Sequence, residues 1–150
     1  MTRVARGLAA TALAATALGG CHHAPRTTAD RPVAIVTGAE AVGASIVVSA
    51  AGRSEPVPAG DMRTALAPLL AARVLDQPEA PASYGLDHPQ ARLEYTTASN
   101  RSLVVLVGAP DFDRHFLYVS REGDRRVFLV PAAVLRRVLA LVGVTVAAPS

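Results

Sequence analysis

Asp87 and His88, together with Asp111, Asp113 and His115, are the richest set of metal-ligating and proton-transferring side chains in the sequence. Brought together, their carboxylates and imidazoles would bind a divalent metal or activate a water. No His-Glu-x-x-His spacing supports that chemistry. As solvated turn residues they need no further role: Asp87 caps a Gly-Leu turn, Asp111 and Asp113 keep a loop polar, and His115 enters a strand. His22 and His23 are adjacent, and two neighbouring histidines are weak evidence of a metal site. Ser45, Ser49, Ser54, Ser83, Ser99, Ser102 and Ser120 all lack the Gly-x-Ser-x-Gly elbow of a serine nucleophile. Gly38 and Gly43 lack the Gly-Lys-Ser/Thr ending of a phosphate loop and read as turn residues. Tyr84 reads as a packed ring with a hydrogen-bonded hydroxyl rather than as an acid. The pairs Arg125–Arg126 and Arg136–Arg137 read as a solvated turn and a solvated helix face, with lipid headgroups or an acidic partner as the alternative. The expectation is no catalytic residue, no metal and no cofactor.

One side chain carries a different chemistry. Cys21 is the single cysteine, and it follows Leu18-Gly19-Gly20 at the end of an apolar run that begins just after Arg3 and Arg6. A core of about 12 apolar residues suits a signal peptide and is too short to span a bilayer, which takes roughly 20. A lone cysteine cannot close an intramolecular disulfide. The stretch resembles a bacterial lipoprotein precursor, with Leu18 three positions before the cysteine as in a lipobox. That resemblance implies cleavage between Gly20 and Cys21, a diacylglycerol on the thiol and, in many bacteria, a third acyl chain on the freed amino group. Two or three chains anchor stably where one is marginal, because each buried CH₂ contributes about 0.8 kcal/mol. His22 is not the aspartate that retains enteric lipoproteins at the inner membrane. The expected location is therefore the outer membrane facing the periplasm in a two-membrane organism, or the outer face of the plasma membrane in a single-membrane one.

The elements behind the anchor follow from composition and pattern. Residues 1–20 are the expected signal peptide, 21–31 a flexible tether containing Pro25, and 32–148 a single domain large enough for a real core. All 15 basic residues are arginine, and the net charge is +3. Losing Arg3 and Arg6 brings the mature chain to about +1, too little to suggest nucleic acid. The absence of tryptophan removes the best base-stacking side chain.

Residues 33–37 and 45–49 are predicted strands. A helix led by Asp61 is predicted to run to about Leu75, with Leu66, Leu70 and Val74 on one stripe, either bent at 64–68 or in two pieces with the regular part beginning at Pro68. Residues 91–97 alternate, with Ala91, Leu93 and Tyr95 facing inward. Asn100 suits a left-handed turn position, and residues 102–107 read as a central strand. Residues 108–114 read as a polar loop. Two further strands, 115–120 and 126–130, are joined by a glycine-containing hairpin link. A last helix starts at Pro131, with Val134, Leu135, Val138, Leu139, Leu141 and Val142 toward the core. This order of strands, helix, strands, helix predicts an α+β fold: a small antiparallel β-sheet with two helices packed on it, behind a cleaved signal peptide.

Tyr84-Gly85-Leu86-Asp87-His88-Pro89, followed by Leu103 to Gly108, Leu117-Tyr118-Val119 and Val127 to Val130, resembles the family known as domain of unknown function 4340. The likeness spans about Ser45 to Leu139. Pro68 departs from its usual pattern, and so does the lack of a tryptophan before the Asp61 helix. The resemblance implies an extracytoplasmic accessory domain, with Tyr84, Gly85, Leu86, Asp87 and Pro89 in structural roles. The functional expectation is a non-enzymatic lipoprotein held to the membrane through Cys21 and binding another envelope protein. A carrier of an apolar or lipidic ligand is the alternative, and a metal-dependent hydrolase the third reading.

Overall fold

The computed structural model describes Thr27–Thr28 and residues 31–148. The expected signal peptide, the Gly20–Cys21 cleavage point and the first residues of the tether lie outside these. Among the described residues the strands are β1 (Thr27–Thr28), β2 (Val33–Val36), β3 (Ser45–Ala50), β4 (Arg53–Pro56), β5 (Leu69–Ala71), β6 (Arg73–Leu75), β7 (Ala91–Thr96), β8 (Ser102–Pro110), β9 (Phe116–Arg121) and β10 (Val127–Pro131). The helices are α1 (Gly38–Ala41), α2 (Ala59–Asp61) and α3 (Ala132–Leu141). The main sheet runs β1-β6-β10-β9-β8-β7-β3-β4, antiparallel throughout, with β1 only two residues long. β2 and β5 form a separate antiparallel pair.

The core follows the alternation of the strands. Leu93 and Tyr95 on β7 and Ile46 and Val48 on β3 turn to the face covered by α3, which buries Leu135, Val138 and Leu139 there. β10 reads Val-Phe-Leu-Val and is buried on both faces. Phe128 and Val130 join the main core, while Val127 and Leu129 join a second cluster with Leu75, Tyr84 and Leu86. The 91–97 strand, the Asn100 turn (φ 56°) and the hairpin at Gly123 (φ 84°) form where the sequence predicts them. So does the final helix, whose polar side is Arg137 on the surface and Arg136 half-buried.

The α+β expectation with two helices is overturned, because the domain is mostly β-sheet and α3 is its one helix of more than a turn or so among the described residues. The Asp61-led helix does not form. α2 passes into a single wide π-turn, Met62–Leu66, that stops before a cis Ala67–Pro68 peptide. Pro68 offers no N–H and its ring blocks a helical continuation. Beyond it the burial period is 2 rather than 3.6: Leu69 and Ala71 are buried while Leu70 is 41% exposed. That alternation makes β5, and after Ala72 donates to the Leu129 carbonyl (2.9 Å) the chain continues as β6. Asp61 makes no cap hydrogen bond and instead sits 3.6 Å from Arg137 of α3. The predicted 108–114 loop is also shorter, since β8 continues through Pro110 with a register irregularity after Val107. Within the expected tether, Thr27 and Thr28 pair with Leu75 and Val74 of β6. Among the described residues no helix is long and apolar enough to cross a membrane.

The two sheets are joined by an ion pair. Thr37 and Glu40 form a capping box at the start of α1. Glu40 also takes bonds from both Arg121 terminal nitrogens, at 2.8 and 3.3 Å, and Arg121 donates to the Ile35 carbonyl of β2 at 3.0 Å. The Arg121 hydrogen bonds, helped by the Thr37 N–H, bring the Glu40 carboxyl from an ordinary 4.5 down to about 2. A lowered native pKa stabilises the fold fully above the unfolded value, and the contribution fades as pH falls toward the folded one. Glu40→Gln is therefore expected to lower the melting temperature at pH 7, with the gap to wild type closing between pH 4.5 and about 2. Thermal unfolding of both proteins across pH checks this, and a gap that stays constant to pH 2 would contradict it.

Candidate functional site

The Tyr84–Pro89 segment packs on the sheet face opposite α3. Pro81–Tyr84 form a 3-10 turn, and Gly85 leaves it in the left-handed conformation (φ 66°). The Gly85 N–H donates to Ala82 and the Leu86 N–H to Pro81. This turn presses directly on β8. A Cβ on Gly85 would lie 2.9 Å from the Ala109 nitrogen, and one on Gly108 would overlap the Tyr84 carbonyl oxygen. Gln90 completes the clasp: its N–H donates to the Val107 carbonyl (2.9 Å) and its side-chain amide to that of Gly108. The Tyr84 ring is buried against Tyr118, with centroids 4.9 Å apart, and its hydroxyl accepts the Glu79 N–H at 3.0 Å. Leu86 fills the second apolar cluster. Tyr84, Gly85 and Leu86 thus close the fold.

The acidic and imidazole groups do not assemble. Asp87 turns its carboxylate to the N–H of its own neighbour, His88, at 2.9 Å, and the His88 ring is exposed. Asp111 accepts the Phe116 N–H at 3.0 Å, and two backbone bonds, Asp111 to Phe116 and Arg114 to Asp111, close the loop around it. Asp113 and His115 are exposed. Among the described residues, no three of His, Cys, Asp and Glu come together as a metal site. Tyr118 has its phenol pKa raised by burial first, then by the charges of Asp111 and Tyr84.

Two surface features escaped the sequence. Phe112, at the tip of the 111–115 loop, is 98% exposed. Its one signal in the sequence is an aromatic flanked by Asp111 and Asp113. Beside the clasp, a cleft of about 540 Å³ has a floor of Leu86, Leu106 and Val127, with Pro78 and Pro81 in its wall and Glu79 and Arg125 among its charged residues. It emerges only once β8, β9 and β10 lie side by side with the 76–86 segment packed against them. Arg126 is held by Asp124 through three bonds of 2.7 to 3.2 Å, and its guanidinium lies 5.2 Å from the Phe128 ring centre. Asp124 has its pKa lowered, mainly by that arginine.

The fold and the clasp define the class: an antiparallel β-sheet domain locked by a Tyr-Gly-Leu turn against a glycine in the adjacent strand. Residues 58–141, more than half of the chain, match the family described as domain of unknown function (DUF4340), and the chain belongs to that family. No curated protein and no solved structure matches it.

Proposed function

We propose that this chain is a lipid-anchored, non-enzymatic protein of the bacterial cell envelope that binds another envelope protein as an accessory of a transport or surface assembly. The leader and Cys21 support the anchor. The observation that carries the binding reading is Phe112, a fully hydrated aromatic presented on a loop fixed by the Asp111 hydrogen bonds. Burying a phenylalanine in a partner's pocket contributes about 1.5–3 kcal/mol, enough for a tenfold or larger gain in affinity. The tyrosine, glycine and leucine of the 84–89 segment are used in packing, which supports a scaffold over a catalyst. The carrier reading has one observation of its own, the apolar floor of the 540 Å³ cleft, a volume within the range of ligand pockets. The space between the sheet and α3, however, is filled by Tyr95, Leu135 and Leu139, each fully buried.

A photoreactive residue in place of Phe112, expressed in native membranes, is expected to give one discrete protein adduct that is absent when the same group replaces Ser54 on β4. Phe112→Ala is expected to leave the melting temperature unchanged and to weaken that complex about tenfold. No adduct at position 112, the same adduct from position 54, or an unchanged affinity in Phe112→Ala would remove the reading.

A further inference from the structure

The strand register fixes where the anchor meets the domain. Thr27 lies opposite Leu75, and Leu75 lies opposite Val127, so the chain enters β1 at the sheet end where β6 finishes and β10 begins. The same end carries the 122–126 turn between β9 and β10, only two strand spacings, or about 10 Å, from β1. It also carries Arg101, just before β8, because Val105 pairs with Arg121 and the Glu122 N–H donates to the Val104 carbonyl. The 111–115 loop is at the other end, where Phe116 pairs with Pro131, six residues of β9 or about 20 Å away. From Thr27 back to Cys21 the chain can reach no more than about 20 Å.

Most acidic groups at the anchor end already have a cation beside them, and Glu79 lines the same cleft as Arg125. Glu40 is held by Arg121, Asp124 by Arg126, and Glu122 lies 3.7 Å from Arg92, while Asp76 lies with Arg126 along the cleft. Arg125 and Arg101 are exposed, and neither makes a side-chain hydrogen bond or ion pair among the described residues. A guanidinium matches phosphate oxygens in a two-pronged geometry. We propose that in the anchored protein this end of the sheet, with Arg125 and Arg101, rests on the phosphates of an anionic lipid surface and points the Phe112 loop away from it. The inference rests on the Cys21 anchor reading and adds an orientation to it. A short tether holds the two arginines near the headgroups, and the length of the sheet lifts Phe112 toward a partner.

Two properties of the chain make the test clean: it has one cysteine and no tryptophan. The mature chain, starting at Cys21, is coupled through that thiol to a maleimide lipid in vesicles of phosphatidylglycerol and phosphatidylcholine. Glu122→Trp and Phe112→Trp each supply a single fluorophore, and brominated lipid in the same vesicles quenches whichever lies at the surface. Ser99→Trp, in the turn before β8, is a second reporter for the anchor end. Strong quenching in Glu122→Trp and Ser99→Trp with little in Phe112→Trp is the expected result. Arg101→Glu and Arg125→Glu, tested by vesicle binding of the uncoupled chain, are each expected to weaken partition about fivefold on anionic vesicles. Equal quenching at both ends, no quenching at either, or quenching of Phe112→Trp alone would overturn the orientation. Because the coupling is chemical, the outcome is independent of whether cells lipidate Cys21, so the anchor reading stands or falls separately.

Discussion

Gly108→Ala is expected to destabilise the domain by about 3 kcal/mol, a loss of roughly 10 °C in melting temperature. The added methyl would overlap the Tyr84 carbonyl oxygen and come within about 3 Å of two Leu86 side-chain carbons. A flexible side chain can yield by a few tenths of an ångström, but here one obstacle is backbone. The Tyr84 backbone is held by its 3-10 turn, and Gly108 follows Val107, which is paired to β7 and β9. Relief therefore requires the Tyr84–Leu86 turn to lift off the sheet, opening the cluster of Leu75, Tyr84, Leu86, Val127 and Leu129. Gly85→Ala meets the Ala109 nitrogen and also needs a left-handed alanine, so a similar loss is expected. The two substitutions lift the same turn, and the double variant is expected to cost less than their sum. Gly123→Ala is the control. It has a positive φ of 84° with nothing within 4 Å, and about 1 kcal/mol of backbone strain is its whole expected effect. Urea unfolding of the four variants decides between a clasp and an incidental contact. A Gly108→Ala protein as stable as Gly123→Ala would contradict the clasp.

Cys21→Ala is expected to abolish normal anchoring. Without the thiol there is nothing to carry the diacylglycerol, and a cleavage that waits for lipidation leaves the precursor unprocessed. The expected outcome is an uncleaved precursor or a mislocalised protein, read by fractionation and by its size on a gel. The size of the effect follows from the chemistry: two long acyl chains at about 0.8 kcal/mol per CH₂ give a stable anchor, and among the described residues no helix is long and apolar enough to cross a membrane. Wild-type processing and wild-type membrane partition in the variant would together exclude the lipid on Cys21.

What the sequence reveals about the fold tracks how many physical signals agree at each stretch. In β7, alternation and the turn residues that follow it point the same way, and Ala91, Leu93 and Tyr95 are inward as expected. The same agreement marks the Gly123 hairpin and α3. Residues 61–75 carry two conflicting patterns. Leu66, Leu70 and Val74 mimic a helical stripe, while Leu69 and Ala71 alternate, and only the sheet environment selects between them. Pro68 discriminates between them, because it ends the helical turn instead of kinking a longer helix. The candidate site divides likewise. Local chemistry in Tyr84-Gly85-Leu86 reads directly as a tight turn with a packed ring. Its counterpart Gly108 stands in the sequence where an apolar strand gives way to a polar loop, because its partner lies more than twenty residues earlier and the contact exists only once β8 is placed. The exposure of Phe112 is a property of the finished hairpin and has no periodic signal.

The parts combine into a simple layout: a β-sheet domain stiffened by the Tyr84–Leu86 clasp, its chain entry and free arginines at one end, and an exposed aromatic at the other. A rigid sheet between the two ends would keep the proposed membrane contact and the proposed partner contact apart. The anchor is the hinge of this reading. The decisive measurement is the intact mass of the N-terminal peptide from protein extracted out of native membranes. A peptide that begins at Cys21 and carries a diacylglycerol on its sulfur is the expected result. A peptide that begins elsewhere, or that begins at Cys21 with a free thiol, would contradict the anchored envelope protein described above.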